Sequence, residues 1–253
     1  MTAAELVTPI EAMAPLATQQ SWDNCGFSVG TPDAEVKRVL VALDCTERVM
    51  DEAIDARCDI IITHHPLIFG GLKSVTPQTS VGRIVMKAIK HEVSVYSAHT
   101  NMDIADGGVS AIMAEKLELQ SVEPLQKEGF GLVGNLPEPM DAERMLALVK
   151  ERFNVDHIRH SEVIKQPVSR VAVCGGSGKS FIRDAMEASA QLYITGDISY
   201  HEFYCESGFM VMDIGHYASE YDIVGFMAEV LCKKFPNFAV LKSVNNNNPI
   251  YYY

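Results

Sequence analysis

Asp59-Ile60-Ile61-Ile62-Thr63-His64-His65-Pro66 is the stretch on which the fold turns. An unbroken apolar run of this length, with no polar alternation, reads as a strand covered on both faces. Such strands belong to the largely parallel sheets of α/β proteins. Pro66 has no N–H to give to a central ladder, so the strand is over before it. The two histidines therefore stand just past a carboxyl end, where open α/β sheets collect their ligands. Neighbours in a regular strand point to opposite faces, so both imidazoles can serve one site only once the strand has ended. The plainer alternative is one ligand beside one hydrogen-bonded structural histidine.

The same arrangement recurs further along. Residues 93–97 run into His99 and Asp103, and residues 210–214 run into Gly215-His216, with Glu220 one helical turn on. Strand-like and helix-like stretches alternate around these runs, which predicts an α/β chain. Strands are expected at 37–43, 130–133, 155–159, 169–174, 191–195, 209–214 and 237–243. Helices are expected at 46–57, 80–90, from Gly107-Gly108 through Leu117, and at 141–152, 179–190, 200–205 and 217–234. The asparagine tract 245–248 reads as a surface loop. Arg38-Val39-Leu40-Val41 is echoed by Arg170-Val171-Ala172-Val173, and 59–63 by 191–195. The expected architecture is two similar α/β lobes with mixed sheets flanked by helices and the metal site between them. The lobes are placed at 1–125 and 126–253, with a single intertwined domain as the alternative.

Composition narrows the function classes. The chain has 253 residues, 47% of them hydrophobic and 21% charged, enough for a sizeable core. A formal charge of −12 argues against nucleic acid or an anionic membrane as partner. No apolar run reaches the roughly 20 residues needed to span a bilayer. Residues 1–17 carry no basic region of the secretory type, so a cytoplasmic protein is expected. The six cysteines (Cys25, Cys45, Cys58, Cys174, Cys205 and Cys232) form no CxxC pair, as suits reduced thiols.

The candidate ligands differ in strength. A carboxylate at Asp103 can bind a divalent ion, or can serve as a turn residue or helix cap. His99 reads as a group that orients a ligand, or as a hydrogen-bonded core histidine. His216 and Glu220, spaced i, i+4, share one face of a helix, and one carboxylate can bridge two ions. Together these residues offer more donors than one tetrahedral zinc uses, which points to two metals. Cys174-Gly175-Gly176-Ser177-Gly178-Lys179-Ser180 imitates a phosphate loop, but Val173 stands where a Walker A motif requires its first glycine. Backbone amides there can still hold an anion. Neither a GxSxG elbow nor an HExxH motif is present.

Six segments in register resemble the NIF-three-like dinuclear-metal family, whose members are also labelled GTP cyclohydrolase 1 type 2 homologues. They are 22–27 (Trp22-Asp23-Asn24-Cys25-Gly26-Phe27), 63–66, 99–103, 175–178, 194–197 and 215–220. The resemblance is to the shorter form of the family. It implies that His64, His65, Asp103, His216 and Glu220 bind two divalent ions (zinc, manganese, iron or nickel), with Glu220 bridging. It also implies a toroidal hexamer, a trimer of dimers, with sites facing an internal cavity. The expected function is a dinuclear metal-dependent hydrolase of a small substrate, a nucleotide or phosphoester; the alternative is a non-catalytic metal-binding scaffold or regulatory protein. Asp44, Thr46, Asp197, His99 and His201 are candidates for orienting ligands or moving protons.

Overall fold

A computed structural model describes residues 1–253 and contains eleven strands: β1 Gly26–Val29, β2 Arg38–Ala42, β3 Ile60–Thr63, β4 Ser94–Ser97, β5 Gln120–Pro124, β6 Leu132–Met140, β7 Arg159–His160, β8 Val168–Ser177, β9 Leu192–Gly196, β10 Met210–Asp213 and β11 Ala239–Lys242. They form two mixed sheets flanked by helices, the architecture expected from the sequence. The chain divides into two compact units, Met1–Met102 with Ile223–Tyr253, and Asp103–Asp222. The first boundary falls after Met102 and not near residue 125, and residues 223–253 join the first unit, where β11 returns to lie parallel beside β2.

In the first unit the sheet order is β1-β4-β3-β2-β11. β2, β3 and β4 are parallel neighbours, and β1 closes the far edge antiparallel to β4. Ile60, Ile61 and Ile62 are all fully buried, which explains their unbroken apolar run. Helices Glu47–Asp55 and Ser80–Lys90 cover one face with Val49, Met50 and Ala53, and with Ile84, Val85 and Ala88. Both helices have threonine N-caps. Thr46 accepts from Val49 N at 3.2 Å and Thr79 from Gly82 N at 3.0 Å. The Thr46 hydroxyl, a candidate for the site on sequence grounds, serves this cap.

The 245–248 tract is a loop, as expected, with Asn247 exposed, but Asn246 is buried. Glu52 anchors the segment before it. It accepts from Ser243 Oγ at 2.6 Å, Val244 N at 3.0 Å, Asn245 N at 3.2 Å and Asn245 Nδ2 at 3.1 Å. Partial burial opposes its charge, but these donors outweigh that and hold the Glu52 carboxyl below its ordinary value. A depressed carboxylate contributes stability above its unfolded pKa and loses it as pH falls through the lower folded value. Glu52→Gln is therefore expected to cost about 1 kcal/mol at pH 7, a figure kept small for solvent screening. The gap from wild type should narrow as the buffer is taken below about pH 4. Urea unfolding at the two pH values checks this.

In the second unit the order is β5-β6-β8-β9-β10-β7, with β8, β9 and β10 parallel. Alternate residues face opposite cores: Val171, Val173, Ile194 and Met212 on one side, Ala172, Cys174, Tyr193 and Val211 on the other. Helix Ala142–Phe153 covers the first of these faces with Met145, Val149 and Phe153. Several expected elements are corrected. Of 155–159 only Arg159 is strand, in β7, and the helix expected at 179–190 is a 3-10 turn followed by Ile182–Glu187. The strand at 130–133 runs on through Pro137 and Pro139, tolerated because the pairing with β8 breaks between Asn135 and Met140. The long helix at 217–234 is two, His216–Glu220 and Asp222–Lys234. Residues 200–203 form only a 3-10 turn. Helix Ala3–Met13, closed by a Thr2/Glu5 capping box, had no counterpart in the sequence reading.

Candidate metal centre

In the first unit three imidazoles gather at the ends of β3 and β4. Their ring centroids lie 5.0 Å (His64 to His65), 5.3 Å (His64 to His99) and 5.5 Å (His65 to His99) apart. Each can offer one ligand atom such that the three atoms lie within 4.8 Å of one another. The backbone explains how sequence neighbours reach one place. His64 N donates to Ala42 O at 3.3 Å and His65 N to Leu43 O at 2.9 Å, while Thr63 Oγ1 donates to His65 O at 2.7 Å.

Each ring is held by its Nδ1. His64 Nδ1 donates to Ala98 O at 2.8 Å, His65 Nδ1 to Asp44 Oδ1 at 2.8 Å, and His99 Nδ1 to Asp23 Oδ1 at 2.9 Å. An oxygen acceptor fixes the proton on Nδ1 and so sets the lone pair on Nε2, the usual arrangement of a ligating histidine. Asp44, chosen from the sequence, thus touches His65, and His99 stands within the cluster itself.

Asp23 is a residue the sequence reading passed over except as part of 22–27. Its other oxygen accepts from Thr100 N at 3.1 Å, Thr100 Oγ1 at 2.5 Å and Cys25 Sγ at 3.1 Å. Burial opposes its ionisation, yet the hydrogen bonds from His99, Thr100 and Cys25 win and hold the carboxyl far below the ordinary range. Burial pushes the neighbouring Cys25 up to about 11, so it stays a thiol. Two exposed aromatic rings flank His99. Trp22 lies 6.1 Å and Phe69 5.6 Å from it, both edge-to-face.

In the second unit His216 and Glu220 share the short helix His216–Glu220, with Nε2 and Oε2 3.0 Å apart. His216 Nδ1 donates to Asp197 Oδ2 at 2.7 Å. Asp197, also chosen from the sequence, follows β9 in the left-handed region at φ 55°. With Nδ1 carrying the proton, the His216 lone pair faces a carboxylate oxygen, and two acceptors this close require a proton or a cation between them. Imidazole and carboxylate together suit zinc, manganese, iron or nickel, so the donors fit a divalent ion. Asp103 closes the helical turn Thr100–Asp103. Burial first, then the charge of Asp103, push the Cys174 thiol up to about 12. His201 lies exposed, its ring 5.2 Å from that of Tyr200.

The glycine loop after β8 makes room for this pair. A Cβ on Gly176, at φ +63°, would run into Glu220 Oε1 and lie 3.4 Å from His216 Cε1. A Cβ on Gly196 would lie 2.7 Å from His216 N. The loop's amides are engaged within the fold: Gly176 N donates to Ser219 Oγ at 2.8 Å and Gly178 N to Thr195 Oγ1 at 3.0 Å. These bonds argue against a phosphate cradle at 175–179.

The geometry agrees with what comparison shows. The model of the Duf34/NIF3 (NGG1p interacting factor 3) family matches residues 1–249. A protein of Streptococcus pneumoniae named GTP cyclohydrolase 1 type 2 homolog is 36% identical, covering 86% of this chain and 85% of its own. One of the same name from Clostridium perfringens is 34% identical over 87% of each. The solved Staphylococcus aureus hypothetical protein SA1388 superposes with a TM-score of 0.89 at 28% identity, covering 100% of this chain and 99% of that one. A family match along almost the whole length, residues 1–249, establishes that the chain belongs to the Duf34/NIF3 family.

Proposed function

We propose that this chain is a dinuclear metal-dependent hydrolase of a small substrate, in which His64, His65, Asp103, His216 and Glu220 hold two divalent ions and Glu220 bridges them. The observation that carries the reading is the shared tautomer. His64, His65 and His216 each commit Nδ1–H to an oxygen, as ligating histidines do. Bound ions would supply Lewis acidity and an acidified water at neutral pH. The chain's own residues do the rest. Asp44 and Asp197 orient His65 and His216, and His99, steadied by Asp23, presents Nε2 to hold or pass a proton.

Trp22, 62% exposed, and Phe69, 55% exposed, stand beside His99. That favours a ring-bearing substrate, such as a nucleotide, over a bare phosphoester. The relatives' name, GTP cyclohydrolase 1 type 2 homolog, makes GTP the first compound to try. No helix is long and apolar enough to cross a membrane. Assembly as a toroidal hexamer in the cytoplasm belongs to the same proposal.

Protein purified without added metal and then loaded with zinc or manganese should hold about two ions per chain by plasma mass spectrometry. A hydrolase panel of nucleotides and phosphoesters should show turnover that a chelator removes. The chain's one tryptophan is Trp22, so its fluorescence should be quenched by nucleotides and not by ring-free phosphoesters. Metal bound without turnover would favour the scaffold reading. No metal uptake at all would end both.

A further inference from the structure

The geometry points to Asn246 as a positioning residue for His65, acting through Asp44; this rests on His65 being a metal ligand. β2 meets β3 on one side and β11 on the other. On the β3 side the ladder runs past the strand end, where His65 N donates to Leu43 O at 2.9 Å. On the β11 side the backbone ladder stops at Ser243 N, which donates to Val41 O at 2.9 Å. There the chain turns away, and one side chain takes over. Asn246 Oδ1 accepts from Leu43 N and, at 3.0 Å, from Asp44 N.

Leu43 is 1% exposed, so water cannot replace the amide oxygen at its N–H. The peptide of Leu43 is thus pinned on both sides, and the next residue aims its carboxylate at His65 Nδ1, 2.8 Å away. Asn246 itself is 4% exposed, and the segment leading to it is tied down by four hydrogen bonds to Glu52. A buried amide with both its acceptor bonds spent on the backbone that carries Asp44 has a reason to be an asparagine. A glutamine or serine would not set the same reach from this turn. What looks in the sequence like a low-complexity tail is, at this one position, part of the support for a candidate ligand.

The test is zinc affinity, measured against a competing chromophoric chelator on the full chain, with folding checked by circular dichroism. Asn246→Ala should weaken the ion held by His65 about tenfold, the range found for lost supports behind ligating histidines. In an Asp44→Ala background the same change should have less than about a twofold effect, because the path to His65 is already cut. Asn246→Asp, which keeps an oxygen at the same place, should recover most of the affinity. Equal losses in both backgrounds, or unchanged affinity in a folded Asn246→Ala protein, would overturn the inference. Should Asn246→Ala not fold, Glu52→Gln loosens the same segment from a distance and must weaken zinc, and again only when Asp44 is present. Wild-type protein that takes up no zinc would overturn the metal reading itself, an outcome distinct from zinc binding that ignores Asn246.

Discussion

Gly176→Ala is expected to lose metal binding and to lower stability together. Gly176 sits at φ +63°, where a Cβ costs roughly 1–2 kcal/mol in backbone strain alone. The new methyl would also collide with Glu220 Oε1 and press on its carboxyl carbon at 3.2 Å. Glu220 is 5% exposed, and its helix is tied to the loop through the bond from Gly176 N to Ser219 Oγ, so it has little room to retreat. The carboxylate must swing away from His216, and the pair that presents donors to an ion is broken. Zinc affinity should fall by about tenfold or more, and urea unfolding should show the strain as an earlier midpoint. Gly70→Ala is the control, since a Cβ there meets nothing within 4 Å. If Gly176→Ala bound zinc like wild type, the steric account of this loop would be wrong.

The second large effect is expected at Asp23. Its carboxylate, whose side chain is fully buried, serves five donors: His99 Nδ1, Asn24 N, Thr100 N, Thr100 Oγ1 and Cys25 Sγ. Asp23→Ala removes both oxygens at once and leaves these donors, several of them half-buried, without their acceptor. The cost should be about 3 kcal/mol, the upper range for orphaned buried groups. Asp23→Asn keeps one acceptor oxygen and should recover part of it. His99 would also lose the bond that sets its tautomer, so an NMR probe of its ring nitrogens should show the proton shared between Nδ1 and Nε2. A fixed Nδ1–H in folded Asp23→Ala would show that Asp23 does not govern His99.

What was legible in the sequence follows from burial. β3, β4 and β10 are buried along their whole length, and β3 and β10 are apolar up to their last residue, while β4 sets Val95 and Tyr96 between two serines; each is followed by a ligand type. β5, exposed throughout, offered no such pattern. Candidate donors at strand ends were found for the same reason, and so were Asp44, two residues past β2, and Asp197, directly after β9. The supports that come from afar were not. Asp23 reaches His99 across 76 positions, and Asn246 reaches Leu43 across 203. Neither partnership leaves a periodic trace, and a polar tract of four asparagines resembles any solvated turn. The glycines at 175–178 carried a signal, but it suggested a phosphate rather than a carboxylate and an imidazole of the same chain.

The return of β11 to β2 has a consequence for how the polypeptide acquires its shape during synthesis. Asp103–Asp222 is continuous, so it has all its strands as soon as its last residue leaves the ribosome. The unit that begins at Met1 lacks one edge of its sheet, and the buried amide behind Leu43, until residues 239–246 are made. Nascent chains usually settle from the front. In this one residues 103–222 are ready first, and residues 1–102 wait for the strand at 239–242.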